Sequence, residues 1–84
     1  MDMKYAVYVI YSPKFNRIYK GHTNDIETRL KQHNSGAVRS TRPFIPWIII
    51  YTEAFKTKAE AISREKYFKS AAGRRYLKDK LPLK

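Results

Sequence analysis

Cysteine is absent from the 84 residues, so neither a disulfide framework nor a thiolate metal site can form. Acidic side chains are scarce: seven Asp and Glu stand against eighteen Lys and Arg, a formal net charge of +11. So strong a field of one sign points to polyanionic partners, nucleic acid first and an anionic membrane surface second. Long hydrophobic runs are missing as well. The longest, Trp47 to Tyr51, is far too short to span a bilayer, and the residues up to Lys4 include Asp2 and carry no apolar stretch of the secretory kind. The expectation is a soluble, cytoplasmic protein without membrane partners. The three glycines build no phosphate-binding loop, and the two histidines, His22 and His33, do not stand at HxxxH or HExxH spacing, which argues against zinc. No Ser-His-Asp or Cys-His arrangement can be made out.

What is present fits one small domain over residues 1–84, with a small core and no room for a cofactor cavity of the Rossmann kind. The stretch "YAVYVIY", Tyr5 to Tyr11, is rich in β-branched and aromatic residues and predicts a strand. "SPKFNR" follows as a turn, and "RIYKGH" as a second strand of the same hairpin. A first helix starts at an Asn24 cap with Glu27 as its capping-box partner and stops near Gly36. "AVRSTRPFIP" reads as a loop. "WIIIYTEAF", Trp47 to Phe55, predicts a third strand, apolar enough to be the central one. Thr57 and Glu60 open a second helix that runs to about Ala71 and breaks at Gly73. "RRYLKDKL" forms a last helix stopped by Pro82. The order β-β-α-β-α-α implies an α+β fold, with helices flanking a three-stranded antiparallel or mixed sheet.

Two helices carry polar groups where a plain core would want apolar ones. In the first, Ile26 and Leu30 share a face with Arg29 and His33, while Glu27, Thr28, Lys31 and Gln32 point away. In the second, Ala61, Ile62, Phe68 and Ala72 all fall within about 60° of Glu65, at about 100° per residue. Burying an unpaired carboxylate costs roughly several kcal/mol, so Glu65 requires a partner. One solution is a structural ion pair with Arg29 or a nearby lysine. The other is a divalent cation on Glu65 beside a phosphate held by Arg29, since Mg²⁺ takes one or two carboxylates and fills its other positions with water and phosphate. Register adds two tyrosines: if Tyr11 pairs with Ile18, Ile10 meets Tyr19, and Tyr8 shares a face with Tyr19. His33, one turn from Arg29, is placed to bond a phosphate or a tyrosine hydroxyl.

The ordered set "AVY" at 6–8, "YKG" at 19–21, "TNDIETRLKQHNSG" and "AISREK" resembles the GIY-YIG nuclease superfamily, above all its small bacterial members similar to the N-terminal nuclease part of the excision-repair C subunit. The likeness runs from about Tyr5 to Arg75. It implies a three-stranded antiparallel sheet flanked by helices, and metal-dependent phosphodiester cleavage in DNA with one divalent cation, Mg²⁺ or Mn²⁺. By the same resemblance Tyr8 is the general base or positions the nucleophile, Tyr19 is the tyrosine of the second tripeptide, and Arg29 contacts the phosphate. Glu65 is the metal ligand, and His33 stands where the family carries His or Tyr. His22 falls where some relatives place a lysine and is counted with the nucleic-acid contacts. The base role expects a Tyr8 pKa depressed by the cation and Arg29. Lys31, Arg39, Arg42, Lys69, Arg74, Arg75 and Lys78 are the expected phosphate contacts.

The leading expectation is therefore a DNA endonuclease of repair or recombination, with specificity that is weak, structural or supplied by a partner protein. The alternatives are a non-catalytic basic nucleic-acid-binding module of the same fold and a basic ribosome-associated protein.

Overall fold

A computed structural model describes residues 3–81. Strand β1 (Tyr5–Ser12) and strand β2 (Arg17–Thr23) form the expected hairpin. Asn16 takes a left-handed φ of 52° in the turn, and its side-chain oxygen accepts from the Tyr11 hydroxyl at 3.0 Å. Helix α1 (Ile26–Ser35), strand β3 (Ile48–Phe55), helix α2 (Lys58–Lys69) and helix α3 (Ala71–Lys80) follow, with a short 3₁₀ turn at Arg42–Phe44 in the loop before β3. The sheet is antiparallel throughout, in the order β2-β1-β3, so the fold is the α+β arrangement anticipated. No helix among the described residues is long and apolar enough to cross a membrane.

The central strand is β1, not β3. Val7, Tyr8, Val9 and Ile10 are all buried, whereas Ile48 and Ile49 of β3 are exposed. A continuous apolar run signals burial on both faces, but β1 and β3 both carry one. What separates them is neighbours: β1 lies between β2 and β3, whereas among the described residues β3 pairs with β1 alone, in a register shifted opposite Val9 and Ile10. The hairpin register is the one the sequence suggested, Tyr11 opposite Ile18 and Ile10 opposite Tyr19.

Alternation along β1 divides the molecule. Val7 and Val9 pack with Ala61, Phe68 and Leu77 beneath α2 and α3. Tyr8 and Ile10 pack with Trp47, Tyr19, Ile26 and Leu30 beneath α1 and the loop before β3.

Three local signals resolve differently from expectation. The α1 cap is Asp25, not Asn24: its carboxylate accepts from both the Thr28 N–H and the Thr28 hydroxyl and sits at the positive end of the helix, where an uncharged amide gains less. Gly36 ends the helix in the left-handed region, as its position implied. Thr57 and Glu60 close a reciprocal capping box at α2. That helix ends before Ser70, which both terminates it and caps α3 through the Gly73 N–H at 3.1 Å. Gly73 breaks nothing. It lies buried in the first turn of α3, where a side chain would collide with the Tyr67 carbonyl. Pro82 lies outside the described residues.

Candidate active site

On the α1 side of the sheet, the Tyr8 hydroxyl meets His33 Nε2 at 2.8 Å, and His33 Nδ1 meets the Thr41 hydroxyl at 2.7 Å. All three side chains are buried. Helix α1 supplies the histidine from its last turn, and the loop after it supplies the threonine. That loop is pinned at its far end. Asn34 donates to the Trp47 carbonyl at 3.0 Å and accepts from the Trp47 N–H at 2.7 Å, while the Trp47 indole N–H donates to the Thr41 carbonyl at 2.9 Å. Tyr19 completes the aromatic wall, its ring centre 6.4 Å from Tyr8 and 5.1 Å from His33.

Gly21 explains how Tyr8, on the central strand, reaches the sheet edge. It lies opposite Tyr8 on β2, and a Cβ there would stand 2.5 Å from the Tyr8 oxygen. Without that side chain the phenol extends across β2. Arg29 reaches the same edge, its guanidinium beside the Tyr8 oxygen and one nitrogen donating to the Gln32 side chain at 3.0 Å. A cleft at this edge is lined by His22, Asn24, Thr28 and Arg29, with Tyr5 and Lys58 at its far side.

Glu65 approaches from the α2 side. It pairs not with Arg29 but with His22, Nδ1 to Oε1 at 2.6 Å, and with Lys69, Nζ to Oε2 at 2.7 Å. The reason is the sheet: α1 and α2 cover opposite faces, and His22, directed toward α2 from the edge strand, is the nearer partner. His22 lines the cleft together with Arg29, so the two sides join there, and the Tyr8 oxygen feels the charges of both Arg29 and Glu65. The five proposed catalytic side chains thus form a buried pair, Tyr8 and His33, with the half-buried Tyr19 against it, Arg29 beside it and Glu65 reached through His22.

Among the chain's own groups, burial raises the Tyr8 phenol above its ordinary value, and the guanidinium of Arg29 beside it only partly offsets that. Burial, aided by the Arg29 charge, pulls His33 down to about 4, which keeps it neutral at pH 7. Burial also pushes the Glu65 carboxyl up, but hydrogen bonds from Lys69 and His22 outweigh it and hold the group below the usual carboxylate value.

The expected phosphate contacts sit on two surfaces. Lys31, Arg39 and Arg42 are exposed around the end of α1, where Arg42 Nε donates to the Gly36 carbonyl at 2.8 Å and stiffens the turn. Lys69, Arg74, Arg75 and Lys78 are exposed along α2 and α3. Lys20, beside Arg74 and Lys69, donates to the Phe68 carbonyl at 3.0 Å; burial and those two charges lower its pKa. His22 is engaged with Glu65.

The role of Thr41 and the pairing of Asn34 with Trp47 escaped the sequence reading, which has Asn34 only within the family stretch and Trp47 only at a strand start. Thr41, a polar residue in a loop, gives no periodic signal. The one available cue was His33 on an apolar stripe, since a buried imidazole requires partners for both nitrogens.

A family model described as the GIY-YIG catalytic domain matches residues 4–78. A UPF0213 protein of Bacillus licheniformis is 37% identical over 84 residues, covering 95% of this chain and 87% of its own. The UPF0213 protein YazA of Bacillus subtilis is 37% identical over 70 residues, covering 82% and 71%. The solution NMR structure of a UPF0213 protein from Bacillus halodurans superposes with a TM-score of 0.53 at 32% identity, over 89% of this chain and 82% of that one. The match spans both tyrosine strands, α1 and the Glu65 helix, and with it the chain is placed in the GIY-YIG family.

Proposed function

We propose that the protein is a metal-dependent endonuclease that hydrolyses phosphodiester bonds in DNA, acts in the cytoplasm in DNA repair or recombination, and folds as one domain over residues 1–84. The observation that carries this reading is the buried Tyr8 hydroxyl, bonded to the His33 imidazole and next to the guanidinium of Arg29, which lines a polar cleft with His22. A module that only binds DNA needs no buried phenol–imidazole pair beside an arginine of its cleft.

Among the described residues no three His, Cys, Asp or Glu side chains gather as a metal-ligand cluster. A single ionised carboxylate nevertheless fits a hard cation that keeps several waters and shares the substrate phosphate. Glu65 is such a group. One of its partners, Lys69, is a half-exposed side chain on a flexible stem that can swing away. Glu65 would hold Mg²⁺ or Mn²⁺, which when bound offsets charge on the phosphate.

The chain's own residues do the rest. Arg29 clamps the phosphate. Tyr8 receives a proton from the attacking water, and because burial disfavours a free phenolate, it passes its own proton to neutral His33 in the same motion. The water oxygen bonds to phosphorus, and the leaving oxygen takes the electron pair of the broken P–O bond and a proton from solvent. Tyr19 holds the ring stack that orients Tyr8. Lys31, Arg39, Arg42, Lys69, Arg74, Arg75 and Lys78, with His22 at the cleft, position the DNA backbone.

The test is cleavage of single-stranded, duplex and branched DNA with Mg²⁺ or Mn²⁺ against EDTA, using wild type and Glu65→Gln. We expect cleavage that EDTA abolishes and that the substitution lowers by orders of magnitude, with DNA binding kept. Stability should change by under about 1 kcal/mol, because the partners of Glu65 are partly exposed. A wild type that binds all three DNAs and cuts none would return the protein to the binding-module alternative.

A further inference from the structure

The bonds around His33 have a direction that Tyr8 imposes at one end and Thr41 holds at the other. At one end the Arg29 guanidinium, which can only donate, lies beside the Tyr8 oxygen. The Tyr8 proton therefore needs an acceptor elsewhere, and among the described residues its one hydrogen-bond partner within reach is His33 Nε2 at 2.8 Å. A nitrogen that accepts is bare, so in the neutral imidazole the proton sits on Nδ1 and is donated to the Thr41 hydroxyl at 2.7 Å. The Thr41 hydroxyl then directs its own proton to the Val38 carbonyl, a longer contact of 3.4 Å to a group that also serves the Thr41 and Arg42 N–H groups. The opposite arrangement, with Nε2 protonated, would set two donors against the Tyr8 oxygen and leave the Tyr8 proton without a partner.

We infer that Thr41 is a positioning residue that locks His33 in the Nδ1–H tautomer and so presents a bare Nε2 to the Tyr8 hydroxyl. Three features support its being built for this. Thr41 is buried, at 1% exposure. Its carbonyl is held by the Trp47 indole, and the loop carrying it is tied to α1 by the paired amide bonds between Asn34 and Trp47. The methyl and hydroxyl of one side chain therefore have a fixed place against the imidazole. In the proposed nuclease the consequence is that His33 can take the Tyr8 proton; the other tautomer could not. The catalytic consequence rests on the nuclease reading, whereas the tautomer does not.

The experiment uses the full chain labelled with ¹⁵N at histidine, and reads the His33 ring nitrogens near pH 7 beside DNA cleavage. Thr41→Val keeps the shape and deletes the hydroxyl; Thr41→Ser keeps the hydroxyl. In the wild type we expect a protonated Nδ1 and a bare Nε2. Thr41→Val should move the proton toward Nε2 and lower cleavage by about 10²–10⁴-fold, the span of losing general acid–base catalysis. Thr41→Ser should recover both the tautomer and the greater part of the rate. A wild type with its proton on Nε2, or a Thr41→Val variant that keeps the wild-type tautomer, overturns the inference whether or not the protein cuts DNA. Should Thr41→Val fail to fold, the wild-type spectrum and the Thr41→Ser rate decide it: a protonated Nε2, or a serine variant slowed as far as loss of general acid–base catalysis, overturns it. Normal wild-type tautomers with no cleavage would remove the nuclease reading and leave the positioning role of Thr41 in place.

Discussion

The two faces of the sheet are fed by one strand and have opposite characters. Beneath α2 and α3 the odd residues of β1 enter a packing with Ala61, Phe68 and Leu77, and Arg64 and Glu53 pair beside it. Arg64 lies 4.8 Å from the ring centres of Tyr67, Phe68 and Tyr76 while its guanidinium bonds both oxygens of Glu53. Beneath α1 the even residues enter a core whose interior holds a phenol, an imidazole and a threonine hydroxyl in one chain of bonds. Apart from the Ser12 hydroxyl, which is buried without a partner among the described residues, the buried side-chain polar groups of both faces are bonded, but only the α1 face joins them in one chain beside Arg29, which lines a cleft. Burial of polar atoms alone does not mark a functional site; a buried chain of them beside a cleft arginine is a candidate for one.

The largest expected effect separates the faces by paired substitutions. Tyr8→Phe should lower cleavage by about 10²–10⁴-fold and cost about 1–3 kcal/mol for leaving His33 Nε2 without its donor. Phe68→Ala, on the other face, should cost about 3–5 kcal/mol of stability while cleavage per folded molecule changes less than tenfold. Denaturant titration run beside single-turnover cleavage measures both. If the two variants trade these profiles, the division of labour between the faces is wrong.

Acid should then find the α1 face first. His33 is neutral in the fold with a pKa lowered from 6.5 to about 4, so the unfolded chain binds a proton that the folded chain refuses. Stability is full above pH 6.5 and is lost as pH falls toward 4, by about 3 kcal/mol in total. Arg29, Tyr8 and Tyr19 are the charged or titratable groups facing the ring, and none of them supplies a compensating negative charge in this range. Much of the loss between pH 6.5 and 5 precedes carboxylate titration. Denaturant midpoints across that interval should fall in wild type and stay flatter in His33→Gln; equal slopes would show that the imidazole titrates normally.

The smallest effect asks whether the outer surface of the α2–α3 side also meets DNA. Affinity should fall steeply with salt as bound counterions are released, and replacing Arg74 and Arg75 together by alanine should reduce the log–log slope by about 2. A slope unchanged in the double variant would confine DNA to the α1 side, and a flat salt dependence in wild type would remove the phosphate contacts of both sides.

Much of this was legible in the sequence, and the failures have a common cause. The hairpin register followed from alternation, and Thr57 with Glu60 announced a helix start, because both signals are local. The misplaced central strand depended on which apolar run had two neighbours, which is a property of the sheet and not of the run. Asn24 and Asp25 are adjacent good caps, and only the bonds to Thr28 decide between them. The anomalous Arg29, His33 and Glu65 were visible as polar residues on apolar stripes. Their partners were not, because His22 and Thr41 lie far from Glu65 and His33 along the chain or outside any periodic pattern. Charge alone suggested pairing Glu65 with Arg29, but the two approach from opposite faces of the sheet, and His22 and Lys69 are the partners Glu65 meets.

The amide pairing of Asn34 with Trp47 has a consequence for how this molecule could be altered. It fastens both ends of the segment 35–46 at one point, much as a clasp closes a bracelet. Doubling the length of a closed flexible loop adds only about 0.6 kcal/mol of entropy. Apart from Thr41, Phe44 and Ile45, which enter the α1-side core, the segment is therefore exchangeable. A graft of another length, carrying a different charge pattern in place of Arg39 and Arg42, could be seated on the same clasp, provided it returns one hydroxyl to His33 and leaves Trp47 where it stands.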